Sequence, residues 1–286
     1  MSSPSRCRLT RPGPSWGKKD KNCDPADREC GSYWDHVLFD PESKLVITLV
    51  VGRRCAETLF VAFTDFFDRT DGALPELITT DEYAPYEAVI YYTYGVWLEE
   101  LEFSERELAQ LDEATWPRFC FPEEIAYATV HKERRQGRVA KVEQKVVFGT
   151  AEKVAEALED SGSSRTVNTS YVERWNGTQR HLNARKARKV YTFSKELLFH
   201  EAVTWLVVVW YNFGWRVRTL RQKVQDDPPR YHQRTPAMAA GLAERPWTME
   251  RLLTYPLYPG EPPAPASKRK NDHNGPDPGH EKLEGR

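Results

Sequence analysis

The order of apolar patterns in residues 33–95 restricts the possible folds of this chain more than any other feature. Two apolar runs, "YWDHVLFD" and "KLVITLVV", flank the turn sequence Asp40-Pro41-Glu42-Ser43, which predicts a β-hairpin. "AETLFVAFTDFFDRT" then has apolar residues at helical spacing, "LPELITT" indicates a buried strand that ends at Asp81, and "DEYAPYEAVIYYTYG" is helical again. The order hairpin, helix, strand, helix predicts a mixed α/β sheet with flanking helices.

The second half of the chain adds further elements of both kinds. After an acidic and irregular stretch over 96–124, the patterns predict a second hairpin that turns near Gln136-Gly137, a short amphipathic helix over "TAEKVAEALEDS", two long helices over roughly 169–189 and 194–213, and a short helix near 248–253.

The two ends of the chain differ from the part between them. Residues 1–31 and 256–286 are rich in Pro, Gly and charge and have no hydrophobic periodicity, which is typical of disordered segments. We therefore predict one folded domain over residues 32–255, with an acidic and hairpin insertion at about 96–160.

Charge is distributed unevenly although the net charge is only −1. Residues 161–234 hold 14 Lys or Arg and 5 Asp or Glu, whereas residues 96–126 hold 2 Lys or Arg and 9 Asp or Glu. Such asymmetry indicates a region that binds a polyanion beside an acidic region.

Cysteine spacing and hydropathy predict a cytoplasmic protein. The five cysteines show no closely spaced pairs that would indicate a disulfide framework or a zinc site. The longest apolar run, residues 202–211, is about half the length that a membrane-spanning helix needs. We expect no membrane association.

Two carboxylates are candidate metal ligands. Asp81 is predicted at the carboxyl end of a strand, where ligands gather in α/β sheets, and Glu173 lies on a later helix. Carboxylate oxygens suit Mg²⁺, which keeps waters and substrate phosphates as its other ligands. Each residue also has an ordinary structural interpretation: Asp81 with Glu82 could be the exit of a strand into a helix, and Ser170-x-x-Glu173 fits a capping box.

A basic segment follows Glu173. In a helix that starts at Ser170, Glu173, Asn176 and Arg180 share one face, at spacings of three and seven residues. The candidate contacts to a nucleic-acid backbone are Asn176, Arg180, Arg185, Arg188 and Lys189. The alternative is a solvated charged helix face.

Several blocks of the sequence resemble one family. "NTSYVERWNGTQRHLNARKARKVYTFSK", "LITTDEYAPYEAVI", "GSYWDHVLFDPESKLVITLVVGRR", "YNFGWRVRTLR" and "RTPAMAAGLAERPWTMERLL" are similar to segments of DDE transposases of the insertion-sequence-one group and related insertion sequences. The resemblance covers about residues 16–256. The NTSYVERWN and TTDEY blocks are its most specific parts.

The resemblance implies a ribonuclease-H-like catalytic domain that cleaves DNA and joins its ends to a target. It implies two Mg²⁺ ions (Mn²⁺ can substitute) held by an Asp, Asp, Glu triad, in which Asp81 is the second Asp and Glu173 the Glu. The implied partners are double-stranded DNA, as transposon ends and target, and a second copy or an intact transposase. The implied location is the cytoplasm, in association with the nucleoid.

The chain departs from the family where the first Asp is expected. Relatives carry it on the first strand, in a block like Asp-Glu-x-Trp-Ser-Phe-Val ahead of a lysine-rich run, whereas this chain has "RPGPSWGKKDKNCDP". Proline is poorly tolerated in a central strand, so we predict that the first strand is missing or degraded. A frameshift or truncation, with residues 1 to about 15 read in a foreign frame, would account for this. Translation of the upstream nucleotide sequence in the other two frames tests it.

Two other aspartates lie near the start of the predicted domain. Asp35 lies within the first hairpin strand and Asp40 at its turn, and neither is expected to supply the missing ligand. We therefore expect impaired DNA cleavage and strand transfer. The alternatives are a non-catalytic DNA-binding remnant that inhibits an intact transposase, and a nuclease on the same fold.

Overall fold

The structure is a computed structural model. It describes the backbone of residues 6–9 and, beyond these, residues 33–97, 119–136, 138–187, 194, 196–224 and 230–255. Across these ranges the chain has a mixed α/β architecture, in which helices cover both faces of a six-stranded sheet.

Ten strands are present in the described ranges. They are β1 (Arg6–Leu9), β2 (Trp34–Phe39), β3 (Val46–Gly52), β4 (Leu77–Asp81), β5 (Val96–Trp97), β6 (Phe119–Cys120), β7 (Ala126–Arg135), β8 (Arg138–Phe148), β9 (Gln222–Val224) and β10 (Arg230–His232). The main sheet has the order β3-β2-β1-β4-β7-β8. The remaining strands form two small antiparallel pairs, β5 with β6 and β9 with β10.

Strand directions divide the sheet into two kinds of pairing. β2 is antiparallel to β1 and to β3, whereas β1, β4 and β7 run parallel to one another, and β8 returns antiparallel to β7. The first hairpin turns at Asp40-Pro41-Glu42-Ser43 and the second at Gln136, as the sequence predicted. The second hairpin is not an insertion, however, because β7 pairs along its first half with β4.

The expectation that the first strand is missing is wrong. β1 lies in the middle of the sheet, with Arg8 beside Phe39 of β2 on one side and beside Thr79 of β4 on the other. The family pattern predicts this strand at residues 12–15, where prolines disfavour it. The strand instead occupies "RCRL", which precedes those prolines. The other residues of 1–31 predicted to be disordered, and all of 256–286, lie outside the described ranges.

Seven α-helices are present in the described part of the chain. They are α1 (Ala56–Arg69), α2 (Pro85–Tyr94), α3 (Ala151–Glu159), α4 (Ser170–Leu182), α5 (Leu197–Val209), α6 (Pro236–Ala239) and α7 (Met249–Leu253). In α1 the residues Leu59, Ala62, Phe63 and Phe66 recur at helical spacing and are fully buried.

Alternation along the strands separates two layers of core. Ile78 of β4 and Tyr127 of β7 pack with α1 and α2 on one face. Leu77 and its neighbours in β7 pack with α3 on the other face. On this same face, Phe39 of β2 and residues of β3 pack with Trp175 of α4 and with α5. Helices α3, α4 and α5 therefore share one side of the sheet.

The two long predicted helices end earlier than expected. α4 ends at Leu182 rather than near 189, because Asn183 adopts an extended conformation and its side-chain oxygen accepts from the Arg185 backbone N–H, which starts a short 3₁₀ turn. α5 ends at Val209 and continues as a π-helical turn over Trp210–Gly214.

This π-helical turn is attached to the edge of the sheet by one side chain. The Asn212 amide nitrogen donates to the Val46 carbonyl oxygen at 2.8 Å, and the Val46 backbone N–H donates to the Asn212 amide oxygen at 3.1 Å. Asn212 thus satisfies both backbone groups of the first residue of β3.

Candidate functional site

Asp81 is the last residue of β4, between two parallel neighbours. Its lateral partner in β7 is Val130, and side chains of laterally paired residues lie on the same face of a sheet. Leu77 and Val130 both belong to the core under α3, so Asp81, four residues after Leu77, also lies on that face. Asp81 is partly exposed at the carboxyl end of the parallel strands, the position that the sequence predicted.

Glu173 lies in the first turn of α4, and its carboxylate is bound by a lysine. The Lys132 ammonium lies 2.5 Å from Glu173 Oε1, and the Thr169 hydroxyl donates to the same oxygen at 3.1 Å. Lys132 Nζ also donates to Thr169 Oγ1 at 3.0 Å, so each of the three residues is hydrogen-bonded to the other two. The Glu173 side chain is 52% exposed, so its carboxylate is accessible to solvent.

The capping-box interpretation of Ser170 and Glu173 is wrong. The N-cap residue of α4 is Thr169, one residue earlier, and its side chain makes no cap hydrogen bond to the helix backbone. The Ser170 hydroxyl instead donates to the Asn168 amide oxygen at 2.6 Å. Glu173 therefore contributes a charge near the helix N-terminus and accepts from Lys132, rather than closing the helix start.

The register of β7 relates the two candidate carboxylates. Lys132 follows Val130 by two residues, so it lies on the same face as Val130 and Asp81. Because Lys132 contacts Glu173, both carboxylates lie at one end and on one face of the sheet. Glu82, the residue after β4, contacts His131, the residue of β7 between Val130 and Lys132. This pair is separate from the contact between Lys132 and Glu173. The sequence predicted that Asp81 and Glu173 converge, but not the lysine beside Glu173.

The donor chemistry of these residues suits a hard cation only in part. Two carboxylates are the type of ligand that Mg²⁺ takes. Yet no group of three His, Cys, Asp or Glu side chains within the described ranges is arranged to hold a metal ion. The Lys132 ammonium also neutralises Glu173 directly. Asp81 and Glu173 by themselves are therefore not a complete set of metal ligands.

The first strand does not complete that set. β1 has the sequence Arg-Cys-Arg-Leu and carries no carboxylate, although it lies directly beside β4. A strand is therefore present beside β4, and residues 6–9 supply no acidic side chain there.

Asp35 has a different role, within the protein interior. Its carboxylate is fully buried on β2, with Lys186 Nζ at 2.6 Å and His200 Nε2 at 3.5 Å. Lys186 also donates to the side-chain oxygen of Gln179, and Ser194 Oγ lies 3.2 Å from His200 Nδ1. We call these five residues the buried ionic cluster.

The buried ionic cluster holds Asp35 in its charged form. Burial alone would raise the pKa of Asp35, but the Lys186 charge and its hydrogen bond, together with the nearby His200 ring, lower it to about 2. Burial lowers the pKa of the Lys186 ammonium, and the Asp35 charge opposes this. Asp35 itself is a signal of this cluster, since an Asp within an apolar strand needs a buried partner.

Asp40 completes the turn between β2 and β3, as its sequence context indicates. Its Oδ1 accepts from the Glu42 backbone N–H at 2.9 Å, and its Oδ2 accepts from the Ser43 backbone N–H at 3.1 Å. Neither Asp35 nor Asp40 is therefore placed as a substitute ligand beside Asp81.

The predicted nucleic-acid contacts have unequal access to solvent. Asn176 is only 5% exposed, Arg180 is half-buried on α4, and Arg185 is exposed on the 3₁₀ turn after that helix. Arg188 and Lys189 lie outside the described residues, so their predicted role stays a prediction. Of the described candidates, Arg185 offers the most accessible cation.

Comparison of the chain with protein-family models and with curated proteins found no match in either. None of the helices in the described ranges is both long and apolar enough to cross a membrane.

Proposed function

We propose that this chain is a DDE-type transposase with a ribonuclease-H-like catalytic domain, whose DNA cleavage and strand transfer are impaired. The observation that carries the proposal is the placement of Asp81 and Glu173 at one end and on one face of the main sheet. Three antiparallel strands followed by parallel strands, with helices on both faces, are compatible with that domain.

Asp81 and Glu173 would hold Mg²⁺ or Mn²⁺ in this proposal. The ions would polarise a phosphodiester and activate the attacking oxygen. Arg185 on the turn after α4, with Arg180, would contribute positive charge for the DNA backbone. The impairment follows from the absence of a carboxylate on β1 and from the Lys132 ammonium on Glu173.

A strand-cleavage assay on the ends of the element that encodes the chain, with Mg²⁺ or Mn²⁺, tests the proposal. We expect weak or no cleavage by the chain as it stands, and metal-independent binding of duplex DNA that weakens steeply with salt. Efficient cleavage that Glu173→Ala abolishes would overturn the impairment. Hydrolysis without strand joining would favour a nuclease.

The second candidate is a non-catalytic DNA-binding protein that inhibits an intact transposase. The contact between Lys132 and Glu173 favours it, because an internal cation already neutralises one proposed ligand. Addition of the purified chain to an intact, active relative would then reduce strand transfer without any cleavage by the chain itself.

A further inference from the structure

A cleft of about 440 Å³ lies beside α4, and neither Asp81 nor Glu173 lines it. It is bounded by α4, by the turn between β2 and β3, and by residues 211–220. Tyr171, Arg174 and Thr178 of α4 line it, at spacings of three and seven residues that place them on one helix face. Glu173 and Arg180 lie on a different face of the same helix, so the cleft and the candidate metal site can be occupied independently.

Positive charge predominates in the cleft. Lys44, Arg174 and Arg218 line it together with one acid, Glu42. Arg174 and Arg218 are exposed, and neither forms an ion pair with any residue that the structure describes. Two guanidinium groups without an acidic partner can bind an anion such as a phosphate, with a bidentate geometry that lysine lacks.

Aromatic side chains line the same cleft. Trp215 is 38% exposed, and the Lys44 ammonium lies 3.7 Å from the centre of the Tyr171 ring. Trp175 is buried against Tyr211, with ring centres 4.4 Å apart. The Trp175 indole N–H has no hydrogen-bond partner among the described residues. A ligand with a planar ring would stack on Trp215, the exposed aromatic side chain of the cleft.

We propose that this cleft binds an unpaired nucleotide of single-stranded DNA, with the base on Trp215 and the phosphates at Arg174 and Arg218. A volume of about 440 Å³ is within the range of small-ligand sites. Stacking platforms combined with cations are the usual means by which proteins hold single strands. The choice of DNA as the nucleic acid rests on the proposed function; the site itself rests on the cleft.

Binding of a fluorescein-labelled twenty-residue oligothymidylate, measured by anisotropy in EDTA, tests the inference. We expect Arg174→Ala, Arg218→Ala and Trp215→Ala each to weaken binding roughly tenfold, since stacking or a charge-assisted phosphate contact has about this effect. The matched control is Arg216→Ala: Arg216 is exposed, lies two residues from Arg218, and does not line the cleft. It should weaken binding about twofold or less.

A local readout makes the test specific. Oligothymidylate that carries 5-iododeoxyuridine should crosslink under ultraviolet light to Trp215 or Tyr171, as located by mass spectrometry of peptides. Circular dichroism of each variant confirms that it is folded. Crosslinks only elsewhere, equal weakening by Arg216→Ala, or preferential binding of an RNA of the same length would each overturn the inference.

The outcomes separate this inference from the proposed function. If oligothymidylate binding depends on the cleft, but the chain shows no metal-dependent cleavage even with a carboxylate introduced on β1, the cleft inference stands and the catalytic proposal fails. If Arg174→Ala, Arg218→Ala and Trp215→Ala leave both metal-dependent cleavage and oligothymidylate binding unchanged, the catalytic proposal stands and the cleft inference fails.

Discussion

The Lys186 ammonium lies 2.6 Å from the Asp35 carboxylate, although 151 residues separate them in the chain. Both side chains are almost completely buried, at 4% and 0% exposure. This contact joins the turn that follows α4 to β2, and so fixes the end of the helix that carries Glu173 against the main sheet.

Removing one partner of this pair should strongly destabilise the protein. Asp35→Asn leaves the Lys186 charge buried without a counter-ion, which costs about 3–5 kcal/mol. Urea unfolding monitored by circular dichroism measures the change. The control is Glu133→Gln, which removes an exposed partner of Arg135 and should change the free energy of unfolding by less than about 1 kcal/mol. The double variant Asp35→Leu/Lys186→Met should recover most of the loss. If Asp35→Asn lowered the free energy of unfolding no more than Glu133→Gln does, the buried pair would have no special role in stability.

Acid should destabilise the protein over a pH range that the pKa of Asp35 determines. Its pKa falls from an ordinary 3.8 to about 2 in the folded chain, so the unfolded chain takes up the proton first as the pH decreases. The stabilisation is complete above pH 4 and disappears between about pH 4 and pH 2, an effect of about 2 kcal/mol. Unfolding at a series of pH values should show this slope in the wild type. Asp35→Asn should lack it, whereas an identical slope in the variant would assign it to other carboxylates.

Asn212 should be essential for the attachment of the π-helical turn to β3. Asn212→Ala leaves the Val46 backbone N–H and carbonyl buried without a partner, which costs about 1–3 kcal/mol for each group left unsatisfied. Asn212→Asp retains the acceptor for the Val46 N–H but loses the donor to the Val46 carbonyl. Its effect on stability should therefore differ from that of Asn212→Ala and should depend on pH. Amide hydrogen exchange at Val46 gives the local readout, and unchanged protection there in Asn212→Ala would contradict this assignment.

Lys132 should compete with metal ions for Glu173. Removal of the ammonium in Lys132→Met should tighten Mn²⁺ binding roughly fivefold, because a neighbouring charge at this distance is worth about 1 kcal/mol in a solvated site. Electron paramagnetic resonance of free Mn²⁺ measures the affinity. The control is Lys145→Met on exposed β8. Equal Mn²⁺ affinity in Lys132→Met and Lys132→Met/Glu173→Gln would show that Glu173 is not a ligand.

Elements with strong local periodicity were predictable from the sequence. The two hairpins, α1, β4 and α2 follow from apolar spacing and turn residues, and so does the position of Asp81 at a strand end. β1 was missed, because four residues that alternate Arg with Cys and Leu give almost no hydrophobic signal. Its position depends on pairing with β2 and β4, which local pattern does not encode.

The partners of the candidate site residues depend on long-range packing. Lys132 meets Glu173 across 41 residues, and no spacing rule relates them. The end of α4 was placed seven residues too late, because the basic residues after Leu182 are good helix formers. The side chain of Asn183 ends the helix instead, through its hydrogen bond to the Arg185 backbone.

The central position of β1 has a consequence for how the sheet holds together. In the described ranges, the hairpin β2–β3 and the three strands β4, β7 and β8 are joined through backbone pairing only by the four residues Arg6–Leu9. Folding must therefore place a short N-terminal segment between the two halves of the sheet, with loop closures of about 30 and 70 residues on its two sides. A chain without these residues would consist of two incomplete half-sheets. A synthetic peptide that contains "RCRL" could join them in trans, as in split-protein complementation.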